Sequence, residues 1–254
     1  MRKRFGKIGR ADEIVDAVNG VSMQIFPGES VGLAGESGCG KTTLGRLILG
    51  LHTPTSGDIF INGNNINRND RSMWRTLRSE CRMIFQNLDA ALNPHMRVAQ
   101  IIEEPLKLYT DKTKAEREKR IREVLEMVRL SSSFMNEYPF TLSGGEKRRV
   151  SIARAIAHPP RIVIADEPVS ALDVSIQAQM LDLFKTLRRE LKLTMLFISH
   201  DLGALADVCD RVAIMYEGKI VEDAPIRVLT DRTFGHPYSR KLVASVLAPV
   251  KYMG

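Results

Sequence analysis

A chain of 254 residues that is 44% hydrophobic and 26% charged has the composition of a globular protein, either one large domain or a core with an inserted subdomain. The formal net charge of +7 would suit nucleic acid, an anionic membrane surface or a phosphorylated ligand, but the basic residues are spread out and equally fit a solvated surface. The three cysteines are far apart and lack a CxxC spacing, which argues against a disulfide scaffold, a zinc site or an iron–sulfur site; no apolar run approaches the roughly 18 residues that cross a bilayer.

The first part of the chain reads as a strand, a glycine-rich loop and a helix. ESVGLAG (29–35) is a short apolar run that predicts a buried strand, and KTTLGRLILGL (41–51) has leucines at helical spacing. SGDIFINGNNI (56–66) alternates and turns at Asn-Gly, which predicts a hairpin, and CRMIFQ (81–86) predicts a further strand.

From residue 88 to 158 the pattern becomes helical, with a long charged helix predicted over 114–130. Strands and a helix then alternate, namely RIVIAD (161–166), SIQAQMLDLFKTLRREL (175–191), TMLFIS (194–199) and RVAIMY (211–216). Alternation of this kind predicts a parallel α/β sheet, interrupted by a helical insertion.

The glycine-rich loop GESGCGKT (35–42) fits the pattern G-x-x-x-x-G-K-[ST], and it lies between a strand and a helix as a phosphate-binding P-loop must. Glycines let successive N–H groups point at phosphate oxygens, and the helix start adds a favourable dipole. Lys41 is expected to reach the β- and γ-phosphates, and the Thr42 hydroxyl to ligate Mg²⁺. The predicted phosphate contacts are Gly35, Glu36, Ser37, Gly38, Cys39, Gly40, Lys41, Thr42 and Thr43.

A second acidic motif follows in RIVIADEP (161–168), where two carboxylates end a buried strand. Ligands of open α/β sheets bind at the carboxyl ends of strands. Asp166 is therefore expected to hold Mg²⁺, directly or through water, and Glu167 to act as the general base toward an attacking water.

In these motifs and their order, the chain resembles the ATP-binding subunit of an ABC transporter over nearly its whole length. Gln86 in MIFQ resembles the Q-loop, LSGGE (142–146) the signature, IVIADEP the Walker B motif, SALD (170–173) the D-loop, and FISHD (197–201) the switch-histidine motif. The resemblance implies an α/β fold, a RecA-like P-loop NTPase core with an antiparallel β subdomain and an inserted α-helical subdomain.

The resemblance also implies that two ATPase subunits pack head to tail, with each ATP between the P-loop of one chain and the signature of the other. Ser143 and the N–H groups of Gly144 and Gly145 would then bind the γ-phosphate of a partner's ATP, and His200 would orient the γ-phosphate of this chain's own site. Gln86 would join Thr42 and Asp166 as a metal ligand. Asp173 of the D-loop counts among the nucleotide-contacting residues.

Three further expectations concern residues around these motifs. Glu146 stands where the family usually has glutamine, and it places a carboxylate near the partner's nucleotide. The basic run 147–149 is expected to be a solvated helix face rather than a nucleic-acid patch. Phe5 is a candidate for stacking on adenine, and a core or surface role is an equal alternative.

The expected organisation is a single ABC ATPase domain. Its nucleotide-binding core with the β subdomain comprises 1–87 and 159–234, the helical signature subdomain comprises 88–158, and 235–254 is a short C-terminal segment.

The chain resembles the oligopeptide, dipeptide and nickel importer ATPases in finer detail. Segments that carry this resemblance include GESGCGKTTLGRLILGL, VSALDVSIQAQMLDL and GHPYSRKLV (235–243). The implied cofactors are ATP and Mg²⁺. The implied partners are a second, non-identical ATPase subunit, two transmembrane permeases and an extracellular solute-binding protein, with no nucleic acid. The subunit would lie at the cytoplasmic face of the inner membrane, held there by the permeases. The chain has no cysteine-rich extension after Gly254, so the iron–sulfur cluster of many relatives is not expected.

The sequence leaves two alternatives open. One is a soluble ABC ATPase of an enzyme or nucleic-acid complex, such as those of carbon–phosphorus lyase, which share parts of the C-terminal pattern. The other is a non-hydrolysing regulatory cassette, which predicts loss of Glu167 or His200, and both are present.

Overall fold

The structure of the protein is a computed structural model that describes residues 1–5, 14–65, 77–87, 91–170 and 172–246. Its contacts divide the chain into two units, the first comprising 1–70 and 196–254 and the second comprising 71–195.

The described residues form a mixture of strands and helices. In chain order the strands are β1 (Arg2–Phe5), β2 (Val15–Asn19), β3 (Ser30–Ala34), β4 (Phe60–Ile61), β5 (Asn64–Asn65), β6 (Cys81–Ile84), β7 (Ile162–Asp166), β8 (Thr194–Ile198), β9 (Arg211–Tyr216) and β10 (Lys219–Pro225). The helices are α1 (Lys41–Ile48), α2 (Val98–Tyr109), α3 (Lys114–Met127), α4 (Gly144–Ala157), α5 (Val174–Leu191), α6 (Leu202–Val208), α7 (Val228–Asp231) and α8 (Pro237–Val246).

The first unit is built on a sheet in the strand order β10-β9-β3-β8. All five residues of β3 are buried, as an apolar run between glycine-containing segments predicts. β3 pairs in parallel with β9, with Val31 opposite Arg211, and β10 returns antiparallel to β9. α6 packs on β3. β1 and β2 form a separate antiparallel pair.

The predicted hairpin at 56–66 is confirmed as far as the structure describes it. β4 and β5 pair antiparallel, with Ile61 opposite Asn64. Asn62 and Gly63 both have positive φ, 51° and 77°, which is the backbone of the two-residue hairpin turn that Asn-Gly favours.

The second unit combines a parallel strand pair with three packed helices. β6 pairs in parallel with β7, with Ile84 opposite Ala165. α2, α3 and α4 pack against one another. Arg120 of α3 donates hydrogen bonds to the Ala157 and Ile156 carbonyl oxygens (3.0 and 3.2 Å), which satisfies the carboxyl end of α4.

The elements predicted from the sequence are confirmed, and their ends differ from the predicted bounds by at most four residues. The charged helix, for example, ends at Met127 rather than at residue 130, and Arg129 follows it with φ at 60°. α2, α3 and α4 fall within the range expected to be helical, 88–158, and the subdomain boundaries stay a prediction. Across the described residues, no helix combines the length and the apolar character that crossing a membrane requires.

Candidate functional site

Two glycines of the loop between β3 and α1 could not be replaced by another residue without displacing neighbouring backbone. Gly35 has φ at 150° and Gly40 has φ at 110°. A Cβ atom at Gly35 would lie 2.2 Å from the Met215 carbonyl oxygen, and one at Gly40 would lie 2.0 Å from the Ala17 carbonyl oxygen. Gly38, with φ at 83°, has no atom near its would-be Cβ, so only the backbone conformation favours glycine at this position. The loop therefore fits tightly at both ends and is open in the middle.

The amino terminus of α1 has the features of an anion site. Its N-cap is Gly40, which offers no side-chain oxygen, and the first turn contains no acidic residue. Such a helix start presents N–H groups and a positive dipole end. Lys41 is the first helical residue and is 8% exposed; its Nζ donates to the carbonyl oxygens of Gly35 (2.7 Å) and Glu36 (2.9 Å). The ammonium is thus held within the loop that a phosphate would enter.

Cys39 is a buried residue of this loop and adds no charge to it. Its Sγ accepts a hydrogen bond from the Lys41 Nζ at 3.8 Å. Burial raises the pKa of the Cys39 thiol, so the group is neutral near pH 7. The carbonyl of Cys39 accepts the N–H of Gly218, at the turn between β9 and β10 (3.1 Å). This hydrogen bond attaches the loop to the turn between β9 and β10.

His200 lies in the same unit, in the loop after β8. The Ser199 N–H donates to the Leu33 carbonyl oxygen of β3 (3.2 Å), and the Asp201 carboxylate caps α6 by accepting the N–H groups of Gly203 and Ala204. The imidazole of His200 is exposed between these two fixed neighbours. The predicted switch position is thus at a strand end next to the strand that leads into the P-loop.

Three predicted residues of the second unit lie at or just after the carboxyl ends of its two paired strands. Asp166 ends β7 and is 2% exposed, while Glu167 is 8% exposed and has φ at 49°. A positive φ at glutamate is a strained backbone, of a kind that often marks functional positions. Gln86 is exposed, two residues after the end of β6. Because β6 and β7 are parallel neighbours, Gln86 and the two carboxylates follow strand ends at the same edge.

The signature segment begins α4, with Ser143 as the N-cap. The Ser143 N–H and hydroxyl both donate to the Glu146 Oε2 (2.8 and 2.7 Å), and the Glu146 N–H donates back to the Ser143 Oγ (3.4 Å). This arrangement is a capping box. Gly144 is exposed and a Cβ there would meet no atom within 4 Å, so the helix start has an open face.

The expectation that 147–149 is a solvated basic face is wrong for Arg148. This residue is only 4% exposed and donates long hydrogen bonds to the carbonyl oxygens of Phe85 (3.5 Å) and Ser170 (3.4 Å). Burial lowers the pKa of its guanidinium. Arg149 is half-buried and donates to the Val128 carbonyl oxygen (2.9 Å). Arg148 therefore points into the unit, whereas Arg149 also donates to the exposed Gln179 (3.2 Å).

The surroundings of two other predicted residues do not test the roles predicted for them, which stay predictions. Asp173 is exposed and is the N-cap of α5, without a side-chain cap bond. Phe5, 38% exposed, has His52 edge-on at 5.5 Å and the Lys3 Nζ 4.8 Å from its ring centroid. The proposed metal ligands are divided between the units: Thr42 belongs to the first, while Gln86 and Asp166 belong to the second.

A buried strand, a tight glycine loop and an uncapped helix headed by lysine define a P-loop nucleotide-binding protein. The model of the ABC transporter family matches residues 18–170 of the chain. The oligopeptide transport ATP-binding protein OppF of Bacillus subtilis (strain 168) is 46% identical over 92% of this chain and 77% of that protein. The dipeptide transport ATP-binding protein DppF of Lactococcus lactis subsp. cremoris (strain MG1363) is 44% identical over 92% of this chain and 75% of its own length.

A solved structure agrees with this assignment of the fold. The ATP-binding cassette MJ0796 bound to ADP and Pi superimposes with a TM-score of 0.79 at 31% identity, over 89% of this chain and 96% of that one. The chain belongs to the ABC transporter family, as one of its ATP-binding subunits. The fold and the ATPase family expected from the motifs are therefore confirmed.

Proposed function

We propose that this protein hydrolyses ATP to drive an importer of oligopeptides or dipeptides. The observation that carries the proposal is the start of α1, an uncapped helix with a buried lysine at its first position inside a tight glycine loop. The peptide class is supported by the relatives, whose names assign them to oligopeptide and dipeptide transport.

The residues of the first unit suit the binding of a triphosphate. In the proposed mechanism the Lys41 ammonium keeps its bond to the Gly35 carbonyl oxygen and turns its other N–H groups to the β- and γ-phosphate oxygens. The N–H groups of the loop bind the remaining oxygens. His200 orients the γ-phosphate. The donors fit because the loop offers N–H groups and one ammonium, and because the neutral Cys39 thiol does not oppose an anion.

The residues of the second unit suit metal binding and proton transfer. Asp166 and Gln86 offer oxygen ligands of the kind that Mg²⁺ prefers, and in the first unit the Thr42 hydroxyl is a ligand of the same kind. Bound Mg²⁺ would neutralise charge on the phosphate oxygens. Glu167 takes the proton of the attacking water, and the strained backbone at Glu167 supports a fixed position for its carboxylate.

The proposal extends to an assembly. A second, non-identical ATPase subunit supplies the signature for this chain's ATP, while Ser143, Gly144 and Gly145 serve the partner's ATP. Two permeases carry the peptide and hold the subunit at the cytoplasmic face of the membrane, and a solute-binding protein delivers the peptide from outside.

The test is Glu167→Gln in the assembled transporter. Without its base the enzyme should still bind ATP, while hydrolysis slows by roughly 10² to 10⁴. ATP binding is followed by titration, hydrolysis by phosphate release, and transport by uptake of a labelled dipeptide into vesicles. The matched control is Glu190→Gln, an exposed glutamate on α5, which should leave all three unchanged.

Near-normal phosphate release by Glu167→Gln would refute the assignment of the base. Uptake of nickel but not of peptides by the wild-type assembly would refute the substrate class and leave the ATPase function intact.

A further inference from the structure

The segment GHPY (235–238), at the start of α8, lies against the P-loop. The Tyr238 hydroxyl accepts a hydrogen bond from the backbone N–H of Glu36 at 3.1 Å. The Tyr238 ring packs on that of Tyr216, at the end of β9, with ring centroids 4.1 Å apart. Both aromatic residues lie in the same unit as the loop. A residue 202 positions away in sequence thus fixes the second residue of the P-loop.

Tyr238 and Lys41 hold the same peptide group. The carbonyl oxygen of Gly35 accepts the Lys41 ammonium at 2.7 Å, and the N–H of that same amide, belonging to Glu36, donates to Tyr238. Hydrogen bonds at the two ends of one amide polarise it and strengthen each other. The orientation of this peptide therefore fixes one of the two carbonyl oxygens that hold the Lys41 ammonium.

The tyrosine is itself firmly placed. The Glu222 carboxylate of β10 accepts the N–H groups of Gly235 (3.2 Å) and His236 (2.8 Å), which fixes the chain just before α8. The Tyr238 N–H donates to the His236 Nδ1 at 3.2 Å. β10 is paired with β9, so Glu222 attaches the segment before α8 to the central sheet of the unit. Burial raises the pKa of the Tyr238 phenol, and the hydroxyl stays protonated at neutral pH.

We propose that Tyr238 is a positioning residue for triphosphate binding: it orients the Gly35–Glu36 peptide and, through it, the Lys41 ammonium. The inference rests on the proposed function, because it assumes that the P-loop binds ATP. Tyr238 touches no reacting atom in this role. Its effect should appear in the affinity for the phosphate chain and leave the affinity for the nucleoside unchanged.

The experiment compares Tyr238→Phe with the wild-type chain by calorimetric titration with MgATP, MgADP and AMP. Phenylalanine retains the ring stack and removes only the hydroxyl. A neutral hydrogen bond contributes about 0.5–1.5 kcal/mol, so MgATP affinity should fall by roughly 2- to 10-fold while AMP affinity stays unchanged. Tyr216→Phe is the control, since it retains both the stack and the Tyr238 hydroxyl, and it should match the wild type.

A thermal unfolding midpoint measured for each variant separates positioning from stability. The inference predicts a midpoint lowered by only the few degrees that the loss of one hydrogen bond implies, together with a changed ratio of MgATP to AMP affinity. Unchanged MgATP affinity in Tyr238→Phe, or an equal loss for MgATP and AMP, would overturn it. A wild-type chain that binds no MgATP would overturn the proposed function as well, which distinguishes the two failures.

Discussion

Two helices of this protein begin in glycine-rich motifs, and they treat their first N–H groups differently. α1 starts after Gly40, which has no side-chain oxygen, and its first residue is the buried Lys41. α4 starts after Ser143, and its first turn is closed by the carboxylate of Glu146. The start of α1 therefore presents positive charge to an incoming anion, whereas the first turn of α4 already contains a negatively charged side chain.

The difference follows from what a helix start needs. The first four N–H groups of any helix lack partners within the helix. In α4 the Ser143 and Glu146 side chains satisfy part of that need, and the hydroxyl proton of Ser143 points to the Glu146 oxygen at 2.7 Å. A phosphate that binds there must compete with this carboxylate for the hydroxyl. A glycine motif before a helix is therefore not by itself a measure of phosphate affinity.

Lys41→Ala should give the largest effect, because it removes the cation from the open helix start. Hydrogen bonds to charged groups contribute about 1.5–3 kcal/mol, so MgATP affinity should fall by roughly 10- to 100-fold, and adenosine affinity much less. Calorimetric titration of the isolated chain measures this, with Lys241→Ala on the exposed face of α8 as the control. A similar loss in Ser143→Ala would erase the contrast between the two helix starts.

Glu146→Gln should sharpen the comparison in the opposite direction. It removes a charge and loosens the hold on the Ser143 hydroxyl, while a glutamine can still cap the helix. A unit charge about 4 Å from another in water is worth about 1 kcal/mol, so ATP-dependent association with the partner subunit should tighten roughly fivefold. Sedimentation of the two subunits with ATP and the hydrolysis-deficient Glu167→Gln background measures the association. Weaker association would show that the carboxylate assists the contact.

The smallest effect separates capping from function. Ser143 and Thr113 cap α4 and α3 by the same capping box, with Glu146 and Glu116 as the respective acids. Replacing either cap by alanine should lower the free energy of unfolding by about 1 kcal/mol in urea titrations. Only Ser143→Ala should also slow ATP hydrolysis by the assembled complex. Equal activity of the two variants would reduce the signature serine to a helix cap.

Local patterns were enough to predict most of this molecule. The strands and helices follow from periodicity, the P-loop from its glycine spacing, and the Ser143–Glu146 box could have been predicted from serine and glutamate three residues apart. The roles of Arg148 and Tyr238 could not. Arg148 bonds a carbonyl 63 residues away, and Tyr238 bonds an N–H 202 residues away. Side-chain bonds to backbone groups that are distant in sequence leave no local pattern, because almost any residue can supply the backbone partner.

Arg148 connects separate segments of the second unit without adding much to its stability. A buried guanidinium is costly to desolvate, and its bonds to the Phe85 and Ser170 carbonyls, at 3.5 and 3.4 Å, are too long to offset that cost generously. Its two bonds join the first turns of α4 to Phe85, which precedes Gln86, and to Ser170, which lies three residues after Glu167. One side chain thus connects three segments of the second unit, and each of these segments adjoins a predicted site residue, namely Ser143, Gln86 and Glu167.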